Sequence, residues 1–330
     1  MKHRLAHAAG ALVMLAMPTS HIAVPPHPMA FVSNEGTHDV SVVDVATNRT
    51  IATIPLAGRA RGIHLSPDDR TLYVATSDDN PRPASKANGI AVIDVATRRV
   101  TATYHVGSDP EQFALTPDGR FIYTSNEDGG TATAIDARTG RHVATLVVGI
   151  EPEGVAVSPD GNWILVTAET SNSLSVIRRK DNKVVDNLLV DLRPRAAAFS
   201  PDGSRVYVTA EISGTLSVID AKTHALLKTI VLDRGEAKPV GVAVSPDGSR
   251  VYVAGGWSGT LTVIDAATFR ILASVPVGKR PWGVAVSADG RRIYTANGMS
   301  DDVAVVDAET HKIVARITVG RRPWGIALTK

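Results

Sequence analysis

The amino-acid sequence predicts an all-β protein, a seven-bladed β-propeller built from four-stranded antiparallel blades. Three observations predict it. Related segments recur about every 42 residues, the repeat length of four-strand blades. Each repeat holds short two-periodic runs rich in β-branched residues, and none carries a long helical stripe. A proline-aspartate turn punctuates the copies in register.

The block 239–278 displays the plan. A small apolar run, Gly241 to Val244, precedes Ser245-Pro246-Asp247-Gly248. Proline presets φ for a turn, aspartate bonds back to local N–H groups, and glycine tolerates positive φ. An alternating strand with an aromatic follows, then Leu261 to Asp265, a D-x-x-T turn (Asp265, Thr268), and Ile271 to Val275. The turn motif recurs at Ser66, Thr116, Ser158, Ser200 and Ser287. The D-x-x-T turn recurs at Asp44, Asp94, Asp136, Asp220 and Asp307. Crowding at a propeller axis suits small residues. Innermost strands are therefore expected at 62–65, 112–115, 154–157, 196–199, 241–244, 283–286 and 325–328.

The ends predict closure. The first repeat begins at Met29 with a second-strand sequence, and the chain ends on an innermost one. The C-terminal strand should complete the N-terminal blade, which removes exposed sheet edges. Two insertions, 78–88 and 233–238, fall opposite the turn motifs.

Residues 1–23 read as a secretory leader, with Lys2 and Arg4 before an apolar run and cleavage expected between 20 and 27. The propeller would then occupy 29–330, in a periplasmic or secreted monomer without a membrane span. The absence of cysteine excludes disulfides and thiolate metal sites. Formal net charge is +2, too little for a nucleic-acid field.

The tokens Tyr207-Val208-Thr209, Leu216 to Asp220, Pro239-Val240-Gly241 and Ser245 to Gly248 together resemble the YVTN-type β-propeller repeat. Met29 to Glu35 and Thr76 to Asn80 are similar to exported seven-bladed propellers associated with PQQ-dependent catabolism. That resemblance implies a periplasmic setting beside alcohol oxidation, with a dehydrogenase or cytochrome as partner. Lactonases and haem d1-binding proteins share the seven-bladed frame.

Candidate site residues emerge where copies disagree. At the second-strand end, equivalent positions hold Glu35, Ser77, Glu127, Glu169, Glu211, Gly256 and Gly298. Before the inner strand they hold Arg61, Glu111, Glu153, Arg195, Val240, Trp282 and Trp324. A mouth mixing apolar walls with convergent polar groups is the default binding site. Tryptophans would supply apolar contact, Arg61 and Arg195 an anion contact, and the glutamates orientation; alternatively, arginine and glutamate pair across blades and the tryptophans plug the end. His64 stands where six copies carry alanine. Known catalytic motifs are absent, and no catalytic residue, metal or cofactor is assigned. The favoured expectation is a non-catalytic binding or accessory propeller holding a small molecule or periplasmic protein, linked to PQQ-dependent oxidation. The alternatives are a lactonase-like or metal-dependent hydrolase using the carboxylates, and a haem or quinone carrier with His64 near the ligand.

Overall fold

The computed structural model describes residues 28–79 and 87–330. The leader expected at 1–23 and most of the first insertion lie outside them. The described residues form seven four-stranded antiparallel sheets. The inner strand of blade 1 is Pro323–Leu328, paired with Met29–Asn34. Blade 2 opens with Arg59–Leu65, and the blades follow in chain order to blade 7, which opens with Pro281–Val286. Closure is thus made by the C-terminal strand, with Phe31 opposite Ala327 and Val32 opposite Ile326. Thr329 N–H donates to the Met29 carbonyl at 2.9 Å.

Alternation explains the core. Each second strand buries nearly every side chain, because its two faces pack on two neighbouring blades. Tyr123, Tyr207, Tyr252 and Tyr294 are among the largest fully buried side chains. Tyrosine hydroxyls need partners when buried. Tyr73 donates to the Ala137 carbonyl at 3.0 Å and Tyr123 to Asn182 Oδ1 at 2.6 Å, both in the next blade.

The aspartates of the turn motifs are spent locally. Ser200 Oγ donates to Asp202, which also accepts the Ser204 N–H. Asp220 accepts the N–H groups of Lys222 and Thr223. Donors holding the charged form keep these carboxyls low; Asp202 and Asp247 are brought to about 2, led by the bonds from Ser200 and Ser245.

The inner strands begin two to three residues earlier than alternation predicts. In blades 3 to 7 and in blade 1 the first strand residue is proline, which the first position tolerates because its absent N–H faces the sheet end. A register shift follows at once, as between Pro152 and Val155. Such a bulge bends the strand and re-aims a side chain. The residue after each proline sits at this bulge, at the mouth opposite the turn motifs.

Candidate functional site

Serine and threonine hydroxyls staple the bulges to the preceding blade. Ser33 Oγ donates to the Arg61 carbonyl at 2.5 Å, and Ser125 Oγ to the Glu153 carbonyl at 2.5 Å. Thr167 Oγ1 serves Arg195 at 3.1 Å, and Thr209 Oγ1 serves Val240 at 2.6 Å. The mouth side chains therefore start from a fixed backbone.

The structure brings the predicted arginines and glutamates together across blades. Arg61 contacts Glu111, sits 3.2 Å from Glu35 and 3.8 Å from Glu127. Arg195, 8% exposed, contacts Glu169 and lies 3.3 Å from Glu153 and 3.6 Å from Glu211. Each expected anion contact is thus enclosed by three carboxylates: Arg61 by groups from the blades on either side, Arg195 by two from the preceding blade and Glu211 of its own. Planar guanidinium groups suit such shared ion pairing.

An outer layer, just before the prolines and before Ala60 in blade 2, escaped the sequence reading. Arg59 bonds Asp109 at 2.9 Å, and Arg193 reaches Glu169 at 2.7 Å. Arg280 stands 3.4 Å from Glu211 and Arg322 stands 3.8 Å from Glu35. Asp109, Glu151, Arg193, Lys238, Arg280 and Arg322 all have positive φ, between 46° and 60°. Non-glycine residues rarely adopt that region, so six in register are a designed feature of the rim. The signal available in sequence was the charged residue before each proline.

The charges divide the mouth. Asp109, Glu111, Glu127, Glu151 and Glu153 make blades 3 and 4 acidic. One oxygen each from Asp109, Glu111 and Glu127 lies within 4.8 Å of the others. Arg59 and Arg61 supply these groups with the positive charge that a divalent cation would bring. Glu127 keeps an unusual proton affinity. Burial first, then the charge of Glu153, push it up to about 7, against the opposing pull of Arg61.

Blades 6, 7 and 1 differ. Trp282 and Trp324 lie near-parallel, 18° apart with ring centroids 6.3 Å apart. The Arg280 guanidinium sits 4.5 Å from the Trp282 ring centre. Gly298 makes room for that indole: a Cβ there would meet Trp282 Cδ1 at 2.7 Å. The two tryptophans, Val240, Arg195, Glu153, Gln112 and His64 line a cavity of about 170 Å³ at the axis.

His64 lies three residues farther along its strand than Arg61, roughly 10 Å deeper. Its ring packs edge-on against Phe113 at 5.0 Å. Burial lowers its pKa to about 4, outweighing hydrogen bonding with the Gln112 side chain and the Phe113 backbone. The imidazole is neutral at pH 7. Gln112 is a second departure that sequence reasoning missed: six copies carry glycine or alanine there. The same subtraction that exposed His64 would have found it.

Comparisons with known proteins bear on this geometry. The family model for the cytochrome D1 haem domain matches residues 99–206 and 202–323, together more than half of the chain. The model for lactonases with a seven-bladed propeller matches residues 19–142. A search among curated proteins returned no match. Among solved structures, Kuenenia stuttgartiensis hydrazine synthase is similar with a TM-score of 0.76 and 21% identity, covering 91% of this chain and 99% of that one. Dihydro-haem d1 dehydrogenase NirN, in complex with DHE, gives 0.66 and 18%, covering 94% and 77%. A candidate 6-phosphogluconolactonase from Bacteroides fragilis gives 0.74 and 15%, covering 93% and 99%. At such identities the structures show a shared fold. The family matches overturn the expectation of a non-catalytic, PQQ-linked accessory propeller. They point to lactonase-like or haem-binding propellers.

Proposed function

The chain belongs to the propeller family that the cytochrome D1 haem domain model describes, and within that frame we propose that it is a lactonase-like hydrolase working at the acidic arc of the mouth. The family name implies a haem, and the residues present do not fit one. Haem iron takes an axial ligand such as histidine, methionine, cysteine or tyrosine. The channel imidazole, His64, lines a cavity of about 170 Å³ on the mouth side and a wider one of about 690 Å³ on the turn side. It is packed on Phe113 and shielded by Gln112. At the rim, His38 is engaged with Asp79 at 3.0 Å. No step is therefore routed through a haem.

The observation that carries the hydrolytic reading is Glu127. A general base works best when its pKa lies near the operating pH. Glu127 titrates near 7, is partly exposed, and faces Arg61. In the proposed reaction Glu127 takes a proton from water as the water oxygen attacks the lactone carbonyl. The Arg61 guanidinium, already paired with Glu35 and Glu111, offsets the charge of the developing oxyanion through space. The ring C–O bond then breaks, and the ring oxygen leaves with the proton returned by Glu127. The product is the open hydroxy acid. The lactonase family match over residues 19–142, which includes Arg61, Glu111 and Glu127, supports this reading. The leader-like start at 1–23 supports a periplasmic site of action.

The test is hydrolysis of δ-valerolactone, gluconolactone and dihydrocoumarin followed by proton release. We expect a rate that rises with pH through about 7, and a loss of about 10²- to 10⁴-fold in kcat/KM for Glu127→Gln. Equal rates for the native chain and a folded Glu127→Gln variant would overturn the assignment, as would no protein-dependent hydrolysis.

A further inference from the structure

The basic, aromatic arc of blades 6, 7 and 1 is not used by that chemistry. We propose that it is a binding site for a planar aromatic carboxylate of one or two rings. Four observations converge on it. First, Trp282 and Trp324, from equivalent bulges of adjacent blades, are near-parallel and only partly buried. Indoles held this way present a stacking surface at the edge of the axial cavity. Second, the strand-end layer carries Gly256 and Gly298 here, where blades 1, 3, 4 and 5 carry glutamate. The absence of those carboxylates lifts anion repulsion in blades 6 and 7, the Glu35 of blade 1 is paired with Arg59 and Arg61, and Gly298 leaves the space Trp282 fills.

Third, the arginines here are not enclosed as Arg61 and Arg195 are. Arg280 has one carboxylate at 3.4 Å, and Arg322, its side chain 67% exposed, has one at 3.8 Å. Lys279 and Arg321 add exposed positive charge on the adjoining loops. Fourth, Val240, Val242 and Val284 line the cavity on this side. Its volume of about 170 Å³ admits a small ring and no macrocycle. The ring of the ligand lies on the indole pair, and its carboxylate turns outward to Arg280 and Arg322. A guanidinium already seated over Trp282 strengthens a stack and pairs with a carboxylate in the same place.

Calorimetric titration of the full chain tests this with 2-naphthoate, its neutral analogue 2-naphthylmethanol, and the non-planar cyclohexanecarboxylate. We expect 2-naphthoate to bind at least tenfold more tightly than either analogue. Trp324→Ala and Arg280→Gln, each checked by circular dichroism, should weaken it at least tenfold. Glu127→Gln lies outside this arc and should bind 2-naphthoate as the native chain does, so failure here is separable from failure of the hydrolysis reading. Equal binding of all three compounds, no binding of 2-naphthoate, or unchanged affinity in both folded variants overturns the proposal.

Discussion

At the scale of the residue, two partly buried titratable groups act in opposite directions. Glu127 holds its proton up to about 7, against an ordinary glutamate value of 4.5. Between those values the folded chain keeps a proton that the unfolded chain has lost, so stability falls as pH rises through this window. His64 is the reverse. Its pKa is about 4 when folded and 6.5 when free, so acid below 6.5 draws protons to the unfolded chain and stability falls as pH drops. Each effect is on the order of 2–3 kcal/mol when complete. They largely cancel between about pH 4.5 and 6.5, where the native chain should show a flat denaturant midpoint. Glu127→Gln should leave stability rising with pH there, and His64→Ala should leave it falling. Urea melts across pH check this, and parallel profiles for all three proteins would contradict it. Gly298 offers a second residue-scale test. In Gly298→Ala the new methyl meets an indole edge at 2.7 Å and the Arg280 carbonyl at 3.3 Å. The near-UV circular dichroism of the tryptophans should change while stability drops by no more than about 1–3 kcal/mol.

At the scale of the element, the bulged inner strand is what makes a mouth from a blade. It turns the residue after the proline inward, and the staple from the preceding blade fixes its carbonyl. Thr209 Oγ1 is buried and donates to Val240 at 2.6 Å. In Thr209→Val the Val240 carbonyl loses this bond at nearly constant volume. The expected loss is about 1–2 kcal/mol in chemical denaturation, compared with no more than about 0.5 kcal/mol for Thr268→Val at an exposed turn. Strand positions were legible in the sequence because alternation and turn chemistry are local. The early starts at Pro110, Pro152, Pro194, Pro239, Pro281 and Pro323 were not, because a bulge breaks the alternation used to find a strand.

At the scale of the whole molecule, closure joins residues nearly 300 apart. The Met29 N–H donates to Thr329 Oγ1 at 2.8 Å, and Phe31 and Ala327 share one core cluster. Deleting 323–330 should expose the edge of Met29–Asn34 and remove Trp324, Ile326 and Leu328 from the interior. We expect a loss on the order of 5 kcal/mol and a broadened unfolding transition; an unchanged melting profile would contradict closure by this strand. The sequence by itself determined the seven blades, their turns and the strand that closes them, since period, proline-aspartate turns and unmatched ends are written in local order. It also marked His64 as a departure from the repeat, and Trp282, Trp324 and the glutamates Glu35, Glu127, Glu169 and Glu211 as positions where the copies disagree. Only the tertiary structure decided what those departures do. Arg195 is enclosed because Glu153 and Glu169 of the preceding blade meet Glu211 of its own. Glu127 titrates near neutrality because burial and the approach of Glu153 disfavour its charge. Desolvation and charge proximity depend on distances through space, and ring closure sets those distances after the strands have formed.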